Sequence, residues 1–145
     1  KTTMIYETNS EQETFLLAKR LGQKAAAGQI YCLTGDLGVG KTVFAQGFAR
    51  GLGVTDPYIT SPTFTIVQSY LGRLPFHHFD VYRIGSEEEM EDTGYEDFFY
   101  GDGVCLVEWA ELIRPLIPED ACWITIHKDL TRGTEYRKIT IKEGT

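Results

Sequence analysis

The spacing of apolar and polar positions divides the chain into helix-length and strand-length pieces. Thr14, Leu17, Ala18, Leu21 and Ala25 recur at three- and four-residue steps and define one face of a helix. Ser10 followed by Glu13 is an S-x-x-E capping box at its start, and Gly28 is the natural stop. Ahead of it, Thr3 to Glu7 suits an edge strand. The apolar run Ile30 to Thr34 predicts a strand, after which helical spacing returns with Phe44, Ala45, Phe48 and Leu52 inward, ending at Gly51 and Gly53. Alternation then predicts strands over Phe64 to Tyr70 and Phe76 to Tyr82, joined by a turn at Leu71, Gly72 and Arg73. In the second, Phe79 and Val81 share one face, while His78, Asp80 and Tyr82 form a polar face opposite.

Ser86 and Glu89 repeat the capping box for a short acidic helix, whose glutamates suit the positive end of a helix better than a metal. Val104 to Val107 predicts a compact buried strand running into Glu108 and Trp109. Ala110 to Ile113 can add a helical turn before Pro115 and Pro118 break it. Strands at Cys122–Lys128 and Tyr136–Lys142 flank a polar connection holding Arg132 and Gly133. The order of elements predicts an α/β fold, with helices layered around a mixed β-sheet in a single domain spanning residues 1–145.

Composition narrows the function. The net charge of −7 argues against a protein whose main task is gripping nucleic acid, which needs clustered Lys and Arg. An RNA-linked role would place the RNA on another subunit. The three cysteines form no C-x-x-C pair, so neither a disulfide framework nor a cysteine zinc site is expected. No apolar run has bilayer length and the first residues lack a signal-peptide core, so a cytoplasmic setting is expected.

The chemistry concentrates in GDLGVGKT, Gly35 to Thr42. Set between a predicted strand and helix, this G-x-x-x-x-G-K-[ST] string reads as a phosphate-binding loop. Gly35, Gly38 and Gly40 let successive N–H groups turn inward around phosphate oxygens, reinforced by the positive end of the next helix. Lys41 then reaches the β/γ-phosphates, and the Thr42 hydroxyl sits on Mg²⁺.

Such a loop needs an acidic partner at a strand end. Asp80 and Glu108 both qualify. Glu108, with the better strand context, is assigned to Mg²⁺, and Asp80 to orienting or deprotonating an attacking water, although which is the main catalytic carboxylate stays open. Ser61, Pro62 and Thr63 occupy the place of a nucleotide-sensing loop, or else the proline simply fixes a turn. Trp109 borders the site, or packs the core. His77 and His78 lack metal-ligand spacing, so packed or hydrogen-bonded histidines are expected.

Taken in order, GDLGVGKT, SPTF, HFDVYR and EWAE resemble the bacterial TsaE family, the small ATPase of the tRNA threonylcarbamoyladenosine pathway. The resemblance covers nearly the whole chain. It implies a P-loop NTPase fold, ATP/ADP and Mg²⁺ as cofactors, slow hydrolysis, and partnership with TsaB and TsaD. Carried over by motif, phosphate contacts fall on Asp36, Leu37, Gly38, Val39, Gly40, Lys41 and Thr42, and Mg²⁺ on Thr42 and Glu108. Asp80 matches the aspartate of H-x-D-x-Y-R, and Thr63 lies in the switch-like loop. Ser10 and Arg132 correspond to further nucleotide contacts. Arg83 and Arg132 are the arginines available as a finger. Two other readings stand beside the ATPase: a P-loop kinase of a small molecule or protein, and a non-catalytic ATP-dependent regulatory subunit.

Overall fold

The structure is a computed structural model that describes residues 2–36, 38–57, 59 and 65–144. Its centre is one seven-stranded sheet. The strands in chain order are β1 (Thr3–Thr8), β2 (Ile30–Thr34), β3 (Val67–Leu71), β4 (Pro75–Asp80), β5 (Val104–Glu108), β6 (Cys122–Lys128) and β7 (Arg137–Lys142). In space they run β1-β7-β6-β2-β5-β4-β3. The middle four, β6, β2, β5 and β4, are mutually parallel, whereas β1, β7 and β3 join antiparallel. The sheet is mixed, as the sequence predicts.

Parallel strands need both faces covered, which is why β2 and β5 read as unbroken apolar runs. Tyr31, Leu33, Val104 and Leu106 pack under helices α1 (Glu11–Lys24) and α2 (Lys41–Gly51). Ile30, Cys32, Cys105 and Val107 face the other way, against α3 (Glu87–Asp92), α4 (Tyr95–Phe99) and a 3₁₀ segment, Ala110–Leu116. The result is three layers, helices on both sides of the sheet.

Both capping boxes form. The Ser10 hydroxyl accepts from Glu13 N–H at 3.1 Å, and that of Ser86 from Glu89 N–H at 3.2 Å. In each, the glutamate reaches back one residue further than the cap, to the N–H of Asn9 or Gly85. Helix α1 stops at Lys24, short of Gly28, because Arg73 of the hairpin turn caps it: its guanidinium donates to the carbonyls of Gly22, Gln23 and Ala25. Strand β3 begins at Val67, and Phe64 lies outside the described residues. Strand β4 ends at Asp80, where the carboxylate accepts Tyr82 N–H at 3.0 Å and turns the chain away.

The polar face of β4 is broken by buried Phe76 and lies beneath α2, and His78, expected to be packed or hydrogen-bonded, has no exposed surface. Helix α4 has no counterpart among the predicted elements. It is five residues long, is entered through Gly94 in the left-handed region, and has no side-chain cap to announce it.

Candidate phosphate-binding and catalytic site

Because the four central strands are parallel, their carboxyl ends lie along one edge, the place where open α/β sheets bind ligands. Thr34 ends β2 and feeds the glycine loop, while Asp80 and Glu108 end β4 and β5 as directly paired residues. Three separate stretches of sequence therefore meet at one point.

The loop is shaped for close approach. Gly35, Gly38 and Gly40 all have positive φ. A Cβ on Gly35 would stand 2.7 Å from the Ile126 carbonyl and 2.9 Å from the Val39 side chain, so this position accepts only glycine. Helix α2 starts directly at Lys41 with Gly40 as its N-cap and no capping side chain. Its first N–H groups are thus left for an external acceptor, with the helix dipole behind them.

Lys41 is buried at 7% exposure. Its ammonium donates to the Gly35 carbonyl at 2.6 Å and lies over the Trp109 ring, 3.4 Å from the centroid. Burial pushes its pKa down, while Glu108, Glu111, Asp80 and Asp36 push the other way. Trp109 is the one non-glycine residue with positive φ among the described residues (63°), a conformation costing about 1–3 kcal/mol for a bulky residue. Its N–H bonds Leu33 O at 3.2 Å, and its ring meets Tyr82 at 4.6 Å between centroids. The backbone strain aims the indole across the lysine.

Glu108 is 2% exposed and receives the His78 ring: Nε2 to Oε2 is 2.6 Å. Asp80 is half-buried. Desolvation raises its carboxyl above the ordinary value, Glu108 adds to this, and Tyr82 N–H, His78 and Lys41 oppose it.

The donor chemistry of the strand ends and the loop is of the kind that Mg²⁺ and phosphate oxygens take. Thr42, exposed at the first turn of α2, and Glu108 supply hard oxygen donors suited to that ion. Among the described residues no three His, Cys, Asp or Glu side chains come together to hold a metal alone. Mg²⁺ ordinarily takes one or two carboxylates and completes its shell with waters and phosphates.

A cleft of about 270 Å³ flanks the loop, lined by Glu11, Thr14, Gly38, Val39, Gly40, Val43, Thr134, Glu135 and Arg137. Sequence reasoning missed Arg137, which donates through Nε to Val39 O at 2.6 Å and also to the carbonyls of Thr134 and Tyr136. An arginine on a terminal strand gives no local signal of binding a loop 98 residues earlier. His78, expected to be packed or hydrogen-bonded, is both, but its partner Glu108 lies on another strand and had no local signal.

Asp36, Gly38, Val39, Gly40, Lys41 and Thr42 come together in the loop, with Trp109, Asp80 and Glu108 grouped around Lys41. Ser10 and Arg132 stand near the cleft without lining it. The Ser10 hydroxyl caps α1, and Arg132 pairs with Glu7 at 3.3 Å over the Tyr136 ring. Leu37, Ser61, Pro62 and Thr63 lie outside the described residues.

Comparison with known proteins agrees with this geometry. The profile of the family "Threonylcarbamoyl adenosine biosynthesis protein TsaE" matches residues 8–139. A Bacillus subtilis protein named tRNA threonylcarbamoyladenosine biosynthesis protein TsaE is 46% identical over 93% of this chain and 82% of its own. A Treponema pallidum protein of the same name is 40% identical over 92% of this chain and 96% of its own. The crystal structure of B. subtilis YdiB superposes with a TM-score of 0.81 at 39% identity, covering 99% of this chain and 87% of that one. With the phosphate loop, the paired acidic strand ends and the mixed sheet in place, the chain belongs to the TsaE family and has the P-loop NTPase fold.

Proposed function

We propose that this protein binds Mg-ATP and hydrolyses it slowly to serve the threonylcarbamoyladenosine modification of tRNA, acting in the cytoplasm on a complex of TsaB and TsaD type. The pathway assignment follows from the family and the names of the relatives. The observation that carries the ATPase reading is the grouping of buried Lys41 and Glu108 with half-buried Asp80 at the start of an uncapped helix.

In this reading the loop amides and α2 bind the phosphate chain, and Lys41 exchanges the Gly35 carbonyl for phosphate oxygens. The cleft beside Gly38–Gly40 receives the nucleoside end. Thr42 and Glu108 would hold Mg²⁺, which would supply charge neutralisation to the phosphate chain. Asp80, whose carboxyl is held above its ordinary value, orients or accepts a proton from water. The candidate arginines are Arg83 and Arg132, and Arg132 is already tied to Glu7. Without a finger a related site turns over at only ~10⁻⁴ s⁻¹, and a finger adds ~10³–10⁵. The isolated protein should therefore be slow and faster with its partners. The acidic chain, at −7, leaves tRNA contact mainly to them.

Single-turnover ATP hydrolysis, measured alone and with TsaB, TsaD and tRNA, tests this. Weak basal activity that rises with the partners is expected; brisk hydrolysis indifferent to them would overturn the coupling. Asp80→Ala should retain nucleotide binding and lose roughly 10²–10⁴ in rate. A variant that kept its full pathway function would instead favour a non-catalytic sensor.

A further inference from the structure

We propose that His78 is a positioning residue that fixes the Glu108 carboxylate for the metal. The inference deepens the function proposed above, resting on its reading of Glu108 as the carboxylate that meets Mg²⁺.

His78 is too well placed to be only a core filler. It has no exposed surface, and its ring stacks on Phe76 at 6.0 Å between centroids with an interplanar angle of 19°. Nε2 lies 2.6 Å from Glu108 Oε2, a short charge-assisted contact between two buried groups. The other nitrogen, Nδ1, is buried and has no hydrogen-bond partner among the described residues. Nε2 is thus the nitrogen that donates, to a carboxylate oxygen that can only accept. That hydrogen bond, with the ring held by its packing on Phe76, fixes the orientation of the carboxylate.

The register explains how the pair arises. Asp80 faces Glu108 directly across β4 and β5, and His78, two residues earlier on the same face, reaches Glu108 diagonally. One side chain of the H-x-D pair thus locks the neighbouring carboxylate while the other remains half-exposed. His77 points to the opposite face, where Nδ1 bonds the Ser69 hydroxyl at 2.7 Å, and it takes no part. Outer-shell partners of this kind typically change metal affinity or activity by about 10- to 100-fold when removed.

The test compares the wild-type protein with His78→Leu, which removes the donor, and His78→Gln, whose amide N–H can replace it. ADP affinity is measured in EDTA and across a Mg²⁺ titration, alongside single-turnover hydrolysis. His78→Leu should raise the Mg²⁺ needed for half-effect by about 10–100-fold. Its ADP affinity in EDTA should stay unchanged, and His78→Gln should recover most of the Mg²⁺ response. Nitrogen NMR of the metal-free wild type should show a proton on Nε2 held in a hydrogen bond. An Nε2 without a proton, or a folded His78→Leu that matches the wild type in Mg²⁺ response, would overturn the inference. A wild type whose ADP affinity ignores Mg²⁺ would overturn the proposed function and this inference together.

Discussion

Asp80 shows at single-residue scale how a site is bought against stability. Its folded-state carboxyl sits above the ordinary 3.8, chiefly through desolvation, with Glu108 adding to the shift. Between those two values the folded state holds more protons than the unfolded one, so stability falls as pH rises through that window. At neutral pH an ionised Asp80 is therefore a cost. Asp80→Asn, which keeps an oxygen for Tyr82 N–H, should raise the melting temperature at about pH 7, and the gain should fade below the ordinary aspartate value; melts at the two pH values check this. The cysteines behave oppositely to reactive thiols. Burial pushes Cys105 and Cys122 up to about 12, so iodoacetamide near pH 8 should label them slowly in the native protein and quickly in denaturant, as read by mass spectrometry. What the sequence offered at this scale was the set Lys41, Asp80 and Glu108, which the fold brings together. The charge state and partners of those groups depend on strand register, which no local string encodes. The histidine on Glu108 is the clearest case.

Among the elements, α1 and α2 form the tightest junction. Gly47 faces Phe15 across it, and a Cβ there would sit 2.3 Å from the Phe15 carbonyl and 3.1 Å from Ala18 Cβ. Gly22 and Gly51 meet each other's backbone in the same way. Gly47→Ala should cost about 1–3 kcal/mol through overpacking, visible as a lower midpoint in urea. The sequence read Gly51 as a helix end, which it also is, and was silent on the backbone-to-backbone contact. Helix α4 was missed for a related reason: Tyr95 and Phe99 bury against the sheet, and that tertiary cover, not propensity or capping, makes five residues helical. Arg137 supplies the other link between elements, from β7 to the phosphate loop. Arg137→Ala should weaken ATP and ADP binding together, by about 1–3 kcal/mol for a lost hydrogen bond from a charged group, measured by titration calorimetry.

For the whole molecule, the α/β class, the mixed sheet and six of the seven strand positions were legible as hydrophobic pattern, with the remaining strand, β3, starting later than its alternation suggested. The strand order was not, since β2 takes as neighbours β5 and β6, both far along the chain. That order is what gathers the carboxyl ends. Because the site is assembled from several strands, nucleotide should stabilise the fold as a unit: ligand at 100 times its Kd adds about 2.7 kcal/mol, and Lys41→Ala should erase the thermal shift.

The molecule carries two tryptophans, and each lies under a cation. Trp109 is covered by Lys41, and Trp123, near the start of β6 at the far end of the sheet, by Arg114 at 4.1 Å. Any phosphate that draws Lys41 away uncovers one indole and leaves the second untouched. One indole thus reads the lysine and the other does not, so loop occupancy can be followed by the emission of Trp109 alone in a Trp123→Phe background, without any label.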